Sequence, residues 1–132
     1  MDRKIITARE LAGIVLLTAL LAAGLLVSRI LGRQQDVLAK QLEDSAWMAL
    51  SGQWSDARET AEDARRQWEK SWNLRAAFGD HTPMEEVDDL FARLGISAAA
   101  GERTDFARDC AALACRIRAV GNAQRLSWQN VL

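Results

Sequence analysis

Eighteen consecutive residues without a charge, Leu11 to Ser28 (LAGIVLLTALLAAGLLVS), constrain this chain more than any other feature in it. A helix rises 1.5 Å per residue, so about 20 residues cover the roughly 30 Å hydrocarbon core of a bilayer. Ile30 and Leu31 extend the run past Arg29, whose aliphatic stem can follow the apolar surface while its head reaches the interface. A core helix of this length would normally carry a polar stripe, and this segment has none. The run therefore reads as a transmembrane helix over residues 11–31. A cleaved signal peptide is the rival, with Arg3, Lys4 and Arg9 as its basic start and Ala22-Ala23-Gly24 as a candidate cleavage site. The apolar run exceeds the usual h-region of roughly 7–15 residues, and Leu25-Leu26-Val27 continue it. No Cys follows the small residues, so a bacterial lipoprotein signal is missing. An uncleaved signal anchor over residues 1–33 is the expectation.

Charge is divided unevenly along the 132 residues. The chain as a whole has 17 Lys+Arg against 18 Asp+Glu. The anchor region is basic, and the acids are concentrated in residues 34–132. Without a basic excess the chain is a poor nucleic-acid binder. The Lys/Arg count leans slightly to an N-terminus inside, which places the C-terminal domain on the extracytoplasmic side of a cell membrane. Gly24, Ser28 and Gly32 form a small-xxx-small ladder on one face, a pattern that lets two helices approach closely. Gly and Ala are common in membrane helices for other reasons, so a helix contact there and a homo-oligomer stay open.

Beyond the anchor every segment reads as helix, and one Pro with no Tyr suits no β-sandwich or barrel. The expected fold is all-α: an N-terminal transmembrane helix running into a stalk, then a small antiparallel bundle of about four helices over residues 34–132. The stalk, residues 33–50, shows an apolar edge at Val37/Leu38, Leu42, Ala46 and Leu50, and Ser51-Gly52-Gln53 breaks it. Ser55 or Asp56 is the expected cap of a second helix, whose face Ala57, Ala61, Ala64, Trp68, Trp72 has helical spacing. That helix is expected to end near Phe78, with Gly79 after it. Thr82 as N-cap, Pro83 at N1 and Glu85 at N3 open a third helix, buried through Met84, Val87, Leu90, Phe91 and Leu94. Gly95 and Ser97-Ala98-Ala99-Ala100-Gly101 mark its end or fraying. Thr104 is the expected cap of a fourth helix, with the stripe Phe106, Cys110, Leu113, Ile117, Val120, and Gly121-Asn122 its stop. The tail Leu126–Leu132 reads as one capped turn closing the bundle end.

Three patterns together resemble one small family. They are Trp54…Ala57 with Trp68…Trp72, the stretch Asp80-His81-Thr82-Pro83-Met84-Glu85-Glu86-Val87-Asp88, and the ending Leu126-Ser127-Trp128-Gln129-Asn130-Val131-Leu132. The family consists of short bacterial proteins, mainly from spore-forming Gram-positive bacteria, catalogued as a domain of unknown function. The resemblance covers roughly residues 42–132. It implies an N-terminal membrane helix with a small helical domain, and no established enzyme activity or cofactor.

Few residues suit catalysis. His81 is the one side chain with an unperturbed pKa near neutrality, with Asp80 before it and Glu85 four residues on. A metal site needs three or four ligands, and no second His exists. His81 reads mainly as a turn-ordering residue. Glu85, Glu86, Asp88 and Asp89 form an acidic cluster, best explained as acids favoured by the helix macrodipole, with a cation site as the sharper alternative. Cys110 lies on the apolar stripe, and Cys115 is about 140° around the helix from it, so the two cannot bridge. The five Trp all lie beyond the anchor, and Trp68 and Trp72 are expected in the core.

The functional expectation is a membrane-anchored, non-enzymatic helical module without cofactor or metal. It would sit in the lipid bilayer and bind or assist another membrane or envelope protein. The alternative is a small-ligand or metal-binding sensor or enzyme centred on His81 and the acidic helix start.

Overall fold

The computed structural model describes residues 7–73 and 81–131, with backbone alone at residues 81–83 and 123–131. Four long helices account for nearly all of them: α1 (Ala8–Leu50), α2 (Trp54–Lys70), α3 (His81–Ala100) and α4 (Arg103–Val131). No strand occurs among the described residues.

Helix α1 is one unbroken element of 43 residues. Thr7 caps it in a capping box, its hydroxyl accepting from the Glu10 amide while the Glu10 carboxylate accepts from the Thr7 amide. From Leu11 to Ser28 it is uncharged and mostly exposed, half-buried at Leu21, Gly24, Val27 and Ser28, and the most apolar 18-residue stretch has no residue buried inside the protein. Among the described residues α1 is the one helix long and apolar enough to cross a membrane. Burial begins at Leu31 and then recurs at helical spacing: Gln35, Leu38, Ala39, Leu42, Ser45, Ala46, Ala49. The expected stalk is therefore a wall of the bundle. The apolar edge is rotated from the expected one: Val37 and Leu50 are exposed, and Ala39 and Ala49 take their places inside.

Two glycines turn the chain. Gly52 has φ +86°, and the Gln53 amide bonds back to the Met48 carbonyl at 2.9 Å. Gly101 has φ +70°, with Gly101 N–H on Ala98 O and Glu102 N–H on Ser97 O, both at 3.2 Å. These are left-handed helix ends, in which a residue without Cβ costs least. Short loops force antiparallel neighbours. The pairings Ser45 with Ala57, Ser97 with Asp109, and Ser45 with Cys110 fix the register of α1/α2, α3/α4 and α1/α4. The core gathers Trp68, Phe106, Leu38, Leu42, Met84, Leu113, Ile117 and Val87, all essentially inaccessible. Each such large side chain contributes about 1.5–3 kcal/mol on burial.

Several expected boundaries move. Helix α2 starts at Trp54, ahead of Ser55 and Asp56, and Gln53 at its N-cap makes no side-chain cap bond. The Trp54 ring packs edge-on against Phe106, centroids 5.0 Å apart, which draws Trp54 into the first turn. Helix α2 closes at Lys70 with Ser71 as C-cap, and the expected end at Phe78 and Gly79 lies outside the described residues. Helix α3 already includes His81, so Thr82 lies inside it instead of capping it. It runs through Gly95 to Ala100, because the reversal it needs comes only at Gly101. Helix α4 opens at Arg103, with the Phe106 amide on the Glu102 carbonyl, so Thr104 is inside the helix. It passes through Gly121-Asn122 to Val131, replacing the expected stop and separate tail turn. Gly121 keeps its helical place because Gln35 of α1 occupies the space a Cβ would need.

Candidate functional site

The sides of the bundle are not equally closed. Helix α1 packs closely on α4 and α2, and α3 on α4, while α2 and α3 meet mainly through long side chains. A cleft of about 650 Å³ opens between α2 and α3, lined by Arg65, Trp68, Trp72, Asp88, Phe91 and Gly95 among others. On its α3 side one exposed carboxylate receives two indoles. Trp68 Nε1 donates to Asp88 Oδ1 at 2.7 Å, and Trp72 Nε1 donates to Asp88 Oδ2 at 3.2 Å. Trp68 is buried and tilts against Phe91, centroids 6.4 Å apart. The four-residue spacing of Trp68 and Trp72 puts both N–H groups on one side of α2, where a single acid from α3 serves both. Arg65 at the rim pairs with Glu62 and Glu69 of its own helix. The hydrogen bond from Arg65 holds the Glu62 carboxyl below the usual carboxylate range, against a smaller desolvation effect.

Of the described residues singled out from sequence as a candidate site, Glu85, Gly24, Ser28 and Gly32 are not among the residues that line this cleft. Asp80 lies outside the described residues, and the side chain of His81 is likewise not described. Glu85 is exposed near the start of α3. The acidic cluster is divided: Asp88 turns to α2, and Glu86 pairs with Arg116 of α4 at 3.3 Å. Among the described residues no three His, Cys, Asp or Glu side chains group as metal ligands would. Gly24 and Ser28 are half-buried and Gly32 is buried, on the α1 face that leads into Leu31 and Gln35. Gly121 of α4 lies against Gln35, and the backbone of α4 continues ten residues beyond it, about 15 Å. That length carries α4 antiparallel along the same stretch of α1.

A second polar feature escaped the sequence reading. The Ser45 hydroxyl donates to the Ala57 carbonyl at 2.6 Å and faces the Cys110 thiol at 3.8 Å, tying three helices at the core. Burial pushes the Cys110 thiol up to about 12, only partly offset by its contact with Ser45. Cys115 is exposed, and the two cysteines are not bridged. Ser45 is an ordinary helical residue in sequence, and only the close approach of α2 and α4 gives it this role. On the surface Arg118 of α4 pairs with Glu43 of α1, and that hydrogen bond lowers the Glu43 pKa.

The fold defines an antiparallel four-helix bundle, one helix of which extends into a long exposed apolar segment. The chain belongs to the family described as Domain of unknown function (DUF4363), whose sequence model matches residues 25–131. No curated protein and no solved structure gives a significant match.

Proposed function

We propose that the protein is a single-pass, membrane-anchored, non-enzymatic module that presents its helical bundle to another membrane or envelope protein. The observation that carries this reading is the continuity of α1. One helix supplies both the exposed apolar segment and the core residues Leu38, Leu42 and Ala46, so the bundle is rigidly coupled to the anchor. The partner surface is assigned to the bundle end remote from the anchor. Trp47, Leu50 and Ile96 are 70%, 57% and 71% exposed there, and Trp is enriched at binding hot spots. The slight Lys/Arg lean places this end extracytoplasmic.

A photo-crosslinking side chain at position 47 or 96 of the full chain, in its native membranes, tests the partner surface. One discrete protein adduct, missing when the probe is at Arg66, is the expected result. Adducts of equal yield from all three positions would overturn the assignment. For orientation, Asp56→Cys in a Cys115→Ser background should label in intact cells. Labelling only after lysis would refute the extracytoplasmic bundle.

A further inference from the structure

Where α1 leaves its apolar segment, a second cleft of about 530 Å³ opens between α1 and the end of α2. Its walls are Arg33, Gln34, Val37 and Leu38 of α1, with Gln67, Lys70 and Ser71 from α2 and its cap. The charge of this cleft sets it apart. The α2/α3 cleft and its neighbours include Glu59, Glu62, Glu69 and Asp88 among their walls. Among the described residues this one has two cations and no carboxylate, in a domain where acids outnumber bases. Neither Arg33 nor Lys70 takes part in an ion pair among the described residues. The negative end of the α2 dipole is blunted, because the Ser71 hydroxyl bonds the Gln67 and Trp68 carbonyls at 3.0 and 3.3 Å.

Position supplies the second argument. Arg33 follows Leu31, the end of the apolar span, by two residues, about 3 Å of helix rise. On the anchored reading, on which this inference rests, α4 covers the Gly24–Gly32 face of α1 at this level, and the opposite face, with Leu26, Ile30 and Arg33, meets the lipid and its headgroup layer. Val37 is 61% exposed beside the cations and continues the lipid-facing apolar surface of Leu26 and Ile30 toward the cleft. Two cations, two amides and an apolar wall at the membrane surface are the elements of an acidic-lipid site.

We propose that this cleft binds the phosphate headgroup of an anionic phospholipid from the surrounding leaflet. Arg33 and Lys70 neutralise the phosphodiester, the Gln34 amide and the second N–H of the Gln67 amide, which also donates to Gln41 Oε1, supply hydrogen bonds, and Val37 meets the glycerol and upper acyl chain. The bound lipid links α2 to the anchor helix and orients the bundle on the membrane.

The test uses the full chain in nanodiscs of equal phosphatidylcholine and phosphatidylglycerol, with retained lipid counted by native mass spectrometry. Phosphatidylglycerol should be retained preferentially. Arg33→Gln with Lys70→Gln should reduce that preference about thirtyfold, as expected for two interfacial charges. Arg93→Gln with Arg108→Gln, the same charge change on α3 and α4, should leave it intact. An unchanged preference in the first variant, or an equal loss in the second, would overturn the site. Inorganic phosphate, titrated onto the chain in non-ionic detergent, separates the sources. Thermal stabilisation equal to that given by phosphatidylglycerol would refute the lipid assignment. A chain that fails to enter nanodiscs overturns the anchored reading and the site with it. A chain that inserts without lipid preference overturns the site alone.

Discussion

Asp88→Ala is the sharpest perturbation of the bundle. It removes the acceptor of the 2.7 Å bond from Trp68, a donor in a residue only 1% exposed. Depriving a buried donor of a charged acceptor costs about 1.5–3 kcal/mol. The bond from half-exposed Trp72, at 3.2 Å, adds little because water can replace the carboxylate there. A loss of about 2 kcal/mol should lower Tm by roughly 10 °C for a bundle of this size. Thermal unfolding of the full chain in detergent, followed by far-ultraviolet circular dichroism, measures it. The double-mutant cycle with Trp68→Phe isolates the bond. Phe keeps most of the ring but has no N–H, so Asp88→Ala in that background should cost less than about 1 kcal/mol. Additivity of the two substitutions within about 0.5 kcal/mol would refute the assigned bond.

Four further outcomes follow from the same geometry. Gly121→Ala should change stability by no more than about 1 kcal/mol in either direction, read as the Tm shift, because its Cβ would meet Gln35 Oε1, the far end of a flexible side chain that can turn aside, and Ala gains a similar amount in helix propensity. Gly95→Ala, at a helical position with open space around it, should instead stabilise by about 0.5–1 kcal/mol, read as the Tm shift. An alkylating reagent at pH 8 should modify one thiol per native chain, exposed Cys115, and two after denaturation, because burial holds the Cys110 thiol at about 12. Modification of both in the native state would contradict the buried assignment. Glu43 has a folded pKa below its unfolded value, through the hydrogen bond from Arg118, so its stabilisation is present above the unfolded pKa and lost as pH falls through the folded one. Both partners are about two-fifths exposed, so Glu43→Gln should cost under about 1 kcal/mol near neutral pH and almost nothing in acid, measured by denaturant midpoints.

The Trp68–Asp88 bond also shows why some of the candidate site could be read in the sequence and some could not. Spacing along one helix is a local property, so Ala57, Ala61, Ala64 and Trp68 were identifiable as one buried face, as were Phe106, Cys110, Leu113, Ile117 and Val120. The acidic start of α3 was equally visible as a cluster. Its partition, Asp88 to two indoles and Glu86 to Arg116, depends on which helix lies beside each residue. The expected caps Ser55, Asp56, Thr82 and Thr104 failed for a related reason. Several residues near a turn can satisfy the same orphan amides, and packing such as Trp54 on Phe106 selects where the helix begins.

Three glycines mark the boundary between local and tertiary control. Gly52 and Gly101 reverse the chain because positive φ is a property of the backbone itself, and any reading of residue type finds such candidates. Gly121 looked like the same signal and is not: it lies inside a helix, and its missing Cβ makes room for a side chain 86 positions earlier. The apolar segment, the all-helical character and the faces of the helices were written in one-dimensional periodicity and hydropathy, which need no partner to be expressed. The closed α1/α4 seam, the open α2/α3 cleft and the basic cleft beside Arg33 were decided by tertiary structure. They arise only when side chains distant in sequence compete for the same space, and no local pattern records the outcome of that competition.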